Sequence, residues 1–167
     1  MRRFLFASLS TVALFAAGGG TVTARGQAFI AEVADTDSER ARGLMYRQSL
    51  AKDRCMFFLY DEDGHHAIWM KNCLISLDVV WVKQDGTVAE VAEHVPPASP
   101  MLSEGSIPTY GGAVPARYFV EFAAGTVRRI GLKVGDRIGW DLRLDSGAQV
   151  KGGAAPAAKP GKKKAPR

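Results

Sequence analysis

The chain has 167 residues, a formal charge of +5, and an ordinary globular composition of 47% apolar and 23% charged residues with two cysteines. The positive charge is carried by the end of the chain: KGGAAPAAKPGKKKAPR at 151–167 holds six Lys or Arg and no acid, whereas residues 25–150 carry 14 basic and 17 acidic side chains. A slightly acidic body with no basic stripe interleaved by stacking aromatics argues against nucleic acid as a partner.

The opening, MRRFLFASLSTVALFAA, passes from Arg2 and Arg3 into an apolar run from Phe4 to Ala17, then through small residues to Val22 and Ala24. That order predicts a secretory signal peptide over residues 1–24, cleaved after Ala24. Arg2-Arg3 hints at twin-arginine export, but the surrounding motif is incomplete, so general secretion is expected. The apolar run is short for a bilayer span and no later stretch is longer, so no membrane span is expected once the leader is removed. The expected organisation is one β domain over 25–145, exported to the periplasm or beyond, followed at 146–167 by a disordered basic Ala/Pro/Lys tail.

AFIAEVA (28–34) alternates and predicts the first strand. Thr36-Asp37-Ser38-Glu39 has the T-x-x-E form of a capping box and predicts a short helix through RARGLMYR, with Gly43 at a close contact or at its end. CMFFLY (55–60), the turn residues DEDGHH and then AIWMKN predict a hairpin. LDVVWVK and TVAEVA predict a second one about Asp85-Gly86, a pair suited to positive φ. Residues 94–114, HVPPASPMLSEGSIPTYGGAV, form a long Pro/Gly-rich loop of the kind that covers a site or moves. ARYFVEFA (116–123) alternates, with Tyr118, Val120 and Phe122 on one face and Arg117, Phe119 and Glu121 on the other. GTVRRIGLKVGDRIGWDLRL adds a helical turn and a closing strand. About seven strands and one or two short helices predict a mainly β fold, an antiparallel β-sandwich or small barrel.

GLMYR (43–47), CMFF (55–58), WMKNCLISLD (69–78), Asp85-Gly86 and EFAAGTVRRIGLKVGDRI (121–138) together resemble domain of unknown function family 192, over roughly Phe29 to Trp140. The specific element is Trp-Met-Lys-Asn with an Asp six residues after the Asn. The resemblance implies a compact, mainly β, often exported domain; it implies no activity, substrate or cofactor. Cys55, Cys73 and Ser76 depart from the family pattern, where a small residue, Thr and Pro are usual.

Four groups of residues are candidates for a role. If the first hairpin is centred on Gly64, Cys55 lies opposite Cys73 on the same face, and an exported chain would join them in a disulfide. No C-x-x-C is present to suggest redox catalysis. The neighbouring His65 and His66 make a poor chelate because adjacent strand residues point apart, so they read as exposed turn residues, and neither a metal nor another cofactor is expected. Asp78 either fixes strand register through Arg47 or Lys71, or lines a cleft with Trp69, Lys71, Asn72, Tyr110, Arg117 and Glu121. Met45, Met56, Phe58, Trp69, Met70 and Trp81 read most simply as core, with Trp140 over the open end of the sheet. The leading expectation is a monomeric domain that binds a small molecule, glycan or peptide of the cell envelope in a groove beneath the 94–114 loop. The alternatives are a hydrolytic enzyme using Asp78 or Glu121, or a structural or partner-binding envelope protein. No G-x-S-x-G or other nucleophile motif supports the enzyme.

Overall fold

The computed structural model describes residues 18–153. Most of the expected leader (1–24) and of the expected tail (146–167) lies outside the described residues. Within them the chain forms β1 (Gly19–Ala24), β2 (Gln27–Ala34), α1 (Asp37–Arg42), β3 (Arg54–Gly64), β4 (Ile68–Trp69), β5 (Leu77–Val82), β6 (Val88–Val95), β7 (Thr109–Tyr110), β8 (Ala116–Ala123), α2 (Thr126–Ile130), β9 (Ile138–Arg143) and β10 (Gln149–Gly152). Eight strands join in one sheet in the order β10-β9-β1-β2-β3-β8-β5-β6, while β4 and β7 pair separately.

The sheet curls until its far sides touch. The Ile138 N–H donates to the Gly86 carbonyl at 2.8 Å and the Val88 N–H to that of Asp136 at 2.8 Å. The result is a mainly β half-barrel, as the strand count implies. One pairing departs from the antiparallel expectation: β2 and β3 are parallel. The crossover through α1 returns the chain to the end at which β2 began, which a tight hairpin cannot do.

Both expected domain boundaries move outward. β1 lies between β2 and β9, with Val22 and Ala24 fully buried. Cleavage after Ala24 would remove this central strand and expose two ladder edges, so the domain reaches back at least to Gly19. At the other end β10 pairs with β9, and Lys151 sits 2.8 Å from Asp141. The fold therefore continues to Gly152, past the expected start of the tail.

Local signals explain the short elements. Thr36 caps α1 by accepting from the Glu39 N–H, and the Glu39 carboxylate accepts from the Thr36 N–H at 3.0 Å. The helix stops at Gly43, whose φ of 44° is unfavourable for a side chain. The β5–β6 hairpin turns at Gly86, with φ 90°, as Asp85-Gly86 predicts.

The curled sheet is packed on both faces. Inside the curl, Val22, Phe29, Phe57, Val80, Val120, Phe122 and Trp140 make one core. On the outer face of β3, β5 and β8, Leu44, Met56, Phe58, Ile68, Met70, Val79, Trp81 and Phe119 make a second, roofed by the segments around 44, 68–73 and 110. β5 is buried along its whole length between these layers. Each of its apolar side chains contributes about 1.5–3 kcal/mol by leaving water. Trp81 also donates its indole N–H to the His66 carbonyl at 2.6 Å. Gly111, at φ 67°, lies flat on the Trp81 ring, where a Cβ would fall 2.2 Å from ring carbons, so the roof tolerates only glycine there.

The two cores separate the cysteines. β3 pairs with β2 and β8 and not with the segment after it, so the expected 55–73 hairpin does not form. Cys55 points into the inner core and Cys73 into the outer one, and both are free thiols. The expected disulfide is overturned because the sheet stands between the two sulfurs. WMKNC is likewise not a hairpin arm. It is the two-residue β4 followed by a turn in which the Cys73 N–H donates to the Met70 carbonyl at 3.2 Å and Asn72 takes a φ of 55°. Asn tolerates that left-handed geometry better than most residues.

Candidate functional site

β8 carries Glu121 onto the outer face, next to Met56 of β3 and Val79 of β5. α1 and the 67–73 segment stand over that face without filling the space above Glu121. The gap is a cavity of about 300 Å³, lined by Arg40, Arg42, Gly43 and Met45 on one side, Phe58, Tyr60 and Phe119 on the walls, and Trp69, Lys71 and Cys73 opposite.

Glu121 is only 6% exposed, and among the described residues no donor hydrogen-bonds its carboxyl. Burial pushes its pKa up to about 8, since nothing offsets the loss of water around the charged form. The Cys73 thiol faces the same space and is raised to about 11, by burial first and by the Glu121 charge second. Burial also raises the Tyr60 hydroxyl above its ordinary range.

The walls are held firmly. Phe58 and Phe119 stack with centroids 4.2 Å apart, and Tyr60 stacks on His66 at 3.7 Å. Arg40 donates to the carbonyls of Asp35 and Leu59 and lies over the Tyr60 ring, 4.8 Å from its centroid. Its fork is spent on the scaffold. At the rim Lys71 pairs with Glu104 at 2.5 Å and lies 5.0 Å above the Trp69 ring. A second cavity, of about 530 Å³, adjoins the first through Lys71 and Cys73; Tyr46, Asn72, Leu74, Pro97, Pro100 and Leu102 help to line it.

The structure brings together three of the seven groove residues expected from the sequence: Trp69, Lys71 and Glu121. Trp69 is 37% exposed at the rim and is not core. Asn72 lies in the adjoining cavity. Tyr110 pairs with Ile68 in the roof, and Arg117 turns away to bind Asp63 at 2.8 Å. Neither lines either cavity.

Asp78 is fully buried on the opposite face, where its two oxygens accept from the backbone N–H groups of His94 (2.9 Å) and Val127 (2.8 Å). It joins β6 to the start of α2 and pairs with neither Arg47 nor Lys71. Arg47 instead makes a two-point bond to Glu32, at 2.7 and 2.6 Å, and holds that carboxyl below its usual range. With Asp78 and Glu121 on opposite sides of one sheet, the pair of carboxylates a hydrolase would use does not assemble. Sequence reasoning missed Phe58, Tyr60, Phe119 and Cys73 as walls. Only the alternation of β8, which puts Phe119 and Glu121 on one face, carried a signal for them. Among the described residues, no three His, Cys, Asp or Glu side chains are placed to hold a metal ion, and no helix is long and apolar enough to cross a membrane.

A half-barrel with a roofed, acid-floored cavity on its outer face defines the class as a small mainly β domain. The chain belongs to the DUF192 family, described as "Uncharacterized ACR", whose model matches residues 20–140. Two solved structures are similar. A Novosphingobium aromaticivorans DSM 12444 protein of unknown function is 31% identical, with a TM-score of 0.61, over 72% of this chain and 82% of that one. A Sinorhizobium meliloti 1021 protein described as a candidate transcription regulator is 34% identical, with a TM-score of 0.60, over 72% of this chain and 90% of that one. No curated protein matches the chain.

Proposed function

We propose that this chain is an exported binding domain that takes a small organic molecule in the cavity above Glu121, acting as a monomer in the cell envelope. The observation that carries the reading is Glu121 itself. A carboxyl with no donor among the described residues, flooring an aromatic-walled cavity of about 300 Å³, is costly to the fold and is the sort of convergent polar group a ligand site uses. Export is supported by the basic-then-apolar opening of the chain, and any leader is cut upstream of Gly19, since β1 belongs to the sheet.

The groove reading from sequence keeps its type of ligand and changes its place: the site lies under α1 and the 67–73 turn, with the 94–114 segment bordering only the second cavity. The description attached to the Sinorhizobium meliloti protein does not transfer well. The body of this chain is slightly acidic, and the longer of its two described α-helices has six residues, too short to lie along a major groove.

A thermal-shift screen of the full chain against envelope sugars, short peptides, amines and metabolites tests the proposal. The expected result is a set of stabilisers whose effect disappears in Ala41→Trp, an exposed position on the cavity rim chosen to block entry without touching the core. A broad screen that shifts nothing, or stabilisers unaffected by the block, would overturn it.

A further inference from the structure

We propose that the Glu121 cavity selects organic cations: a compact amine enters with its ammonium against the Glu121 carboxyl and its apolar part against Phe58, Tyr60 and Phe119. This rests on the cavity being a ligand site and names the chemistry of its ligand.

Three features converge on a cation. The floor is a carboxyl that no donor among the described residues satisfies, so an entering N–H donor completes its bonding. The cavity is lined by the rings of Phe58, Tyr60, Trp69 and Phe119, residue types that attract a cation where a face is free. The protein already uses its own cations in this way at the edges of the site, with Arg40 over Tyr60 and Lys71 over Trp69. A neutral hydrogen-bond acceptor is the competing occupant, because the protonated carboxyl can donate to it.

The competitors differ in proton balance. The ionisable groups bordering Glu121 are Tyr60 from β3, Cys73 and Lys71 from the 70–73 turn, and Asp37, Arg40 and Arg42 from α1. Arg40 is engaged by carbonyls and Asp37, and Lys71 by Glu104. Glu121 is therefore the group that changes charge near neutrality, since its pKa lies at about 8 and the Cys73 thiol at about 11. An ammonium binds the carboxylate, so Glu121 gives its proton to solvent on binding. A neutral acceptor binds the protonated acid and holds that proton in place.

Calorimetric titration of the full chain with cyclohexylamine and with cyclohexanol, from pH 6 to 9, separates the two. The amine stays charged across this range, as a Lys side chain does. Its affinity is expected to rise about tenfold per pH unit up to about pH 8 and then level off. It should fall at least tenfold in Glu121→Gln and be retained in Asp63→Asn, a surface carboxyl outside both cavities, with both variants checked for cooperative unfolding. Cyclohexanol should bind more weakly than the amine at pH 8. Amine binding that is flat or falls with pH, or is equal in Glu121→Gln, overturns the inference. Tighter binding of the alcohol, weakening as pH rises through 8, overturns the cation and leaves the cavity reading intact. If neither probe binds and the broad thermal-shift screen is also silent, both readings fall.

Discussion

Replacing Glu121 by Gln keeps the shape of the side chain and removes its charge, so the pH dependence of the difference isolates one buried carboxyl. The folded pKa is about 8, against an ordinary value of 4.5 for this carboxyl. A carboxyl raised on folding keeps its proton in the native state while the unfolded chain releases it. Native protein therefore binds more protons than unfolded protein between those two values, and its stability falls as pH rises through that window. The slope is about 1.4 kcal/mol per pH unit, so the charge at Glu121 costs roughly 4–5 kcal/mol once the pH passes 8. Against a typical stability of about 5–15 kcal/mol this is a large liability. Glu121→Gln should match the parent within about 1 kcal/mol at pH 5, where both side chains are neutral, and exceed it by about 4 kcal/mol at pH 9. Urea denaturation midpoints at pH 5, 7 and 9 measure the difference, provided the m-values agree. Parallel pH profiles for the two proteins would show that Glu121 is solvated and would refute the reasoning.

Four further outcomes follow from the same contacts. Asp78→Ala should cost about 2–4 kcal/mol in urea denaturation, because it strands two backbone N–H donors, that of Val127 buried and that of His94 partly so. Thr36→Ala should cost about 1 kcal/mol through loss of the α1 cap, with Thr36→Ser recovering most of it. Truncation after Ala148 removes β10 and should lower the melting temperature and shift Trp140 emission to the red, since that strand borders Trp140; an unchanged spectrum would contradict the placement of β10. Non-reduced protein should show two free thiols by mass spectrometry, and Cys55 should resist thiol reagents in the native state, because burial raises its pKa far above the ordinary thiol value.

Where the sequence was legible, the signal was local. The α1 cap, the Asp85-Gly86 turn and the two-faced β8 depend on neighbours in the chain, and each forms as its residues imply. The 55–73 hairpin failed because CMFFLY is apolar on both sides: nothing in it distinguishes an adjacent partner from β2 and β8, which come from elsewhere in the chain. Once β3 pairs with those strands, Cys55 is carried to the face away from Cys73. β1 was hidden because GGTVTA has too few large residues to look like a strand, although Val22 and Ala24 alternate with Thr21 and Thr23 as a strand requires.

The site was half visible for the same reason. Glu121 and Phe119 share a face by parity, but so does Arg117. Only the end of β8, where Arg117 turns to Asp63, shows that it leaves the cavity. The roof that makes a cavity of that face comes from α1 and the WMKN turn, which are distant in sequence from β8. The long Pro/Gly loop drew attention to itself by composition, yet much of it builds the roof over Trp81 and the second cavity.

The central claim is that a small molecule binds against Glu121, and crystallographic fragment screening of the full chain tests it most directly. The account predicts difference density in the cavity bounded by Phe58, Tyr60, Trp69 and Phe119, with an amine nitrogen within hydrogen-bonding distance of the Glu121 carboxyl and amines over-represented among the hits. Fragments confined to other surfaces, with only water or a repacked side chain above Glu121, would contradict it.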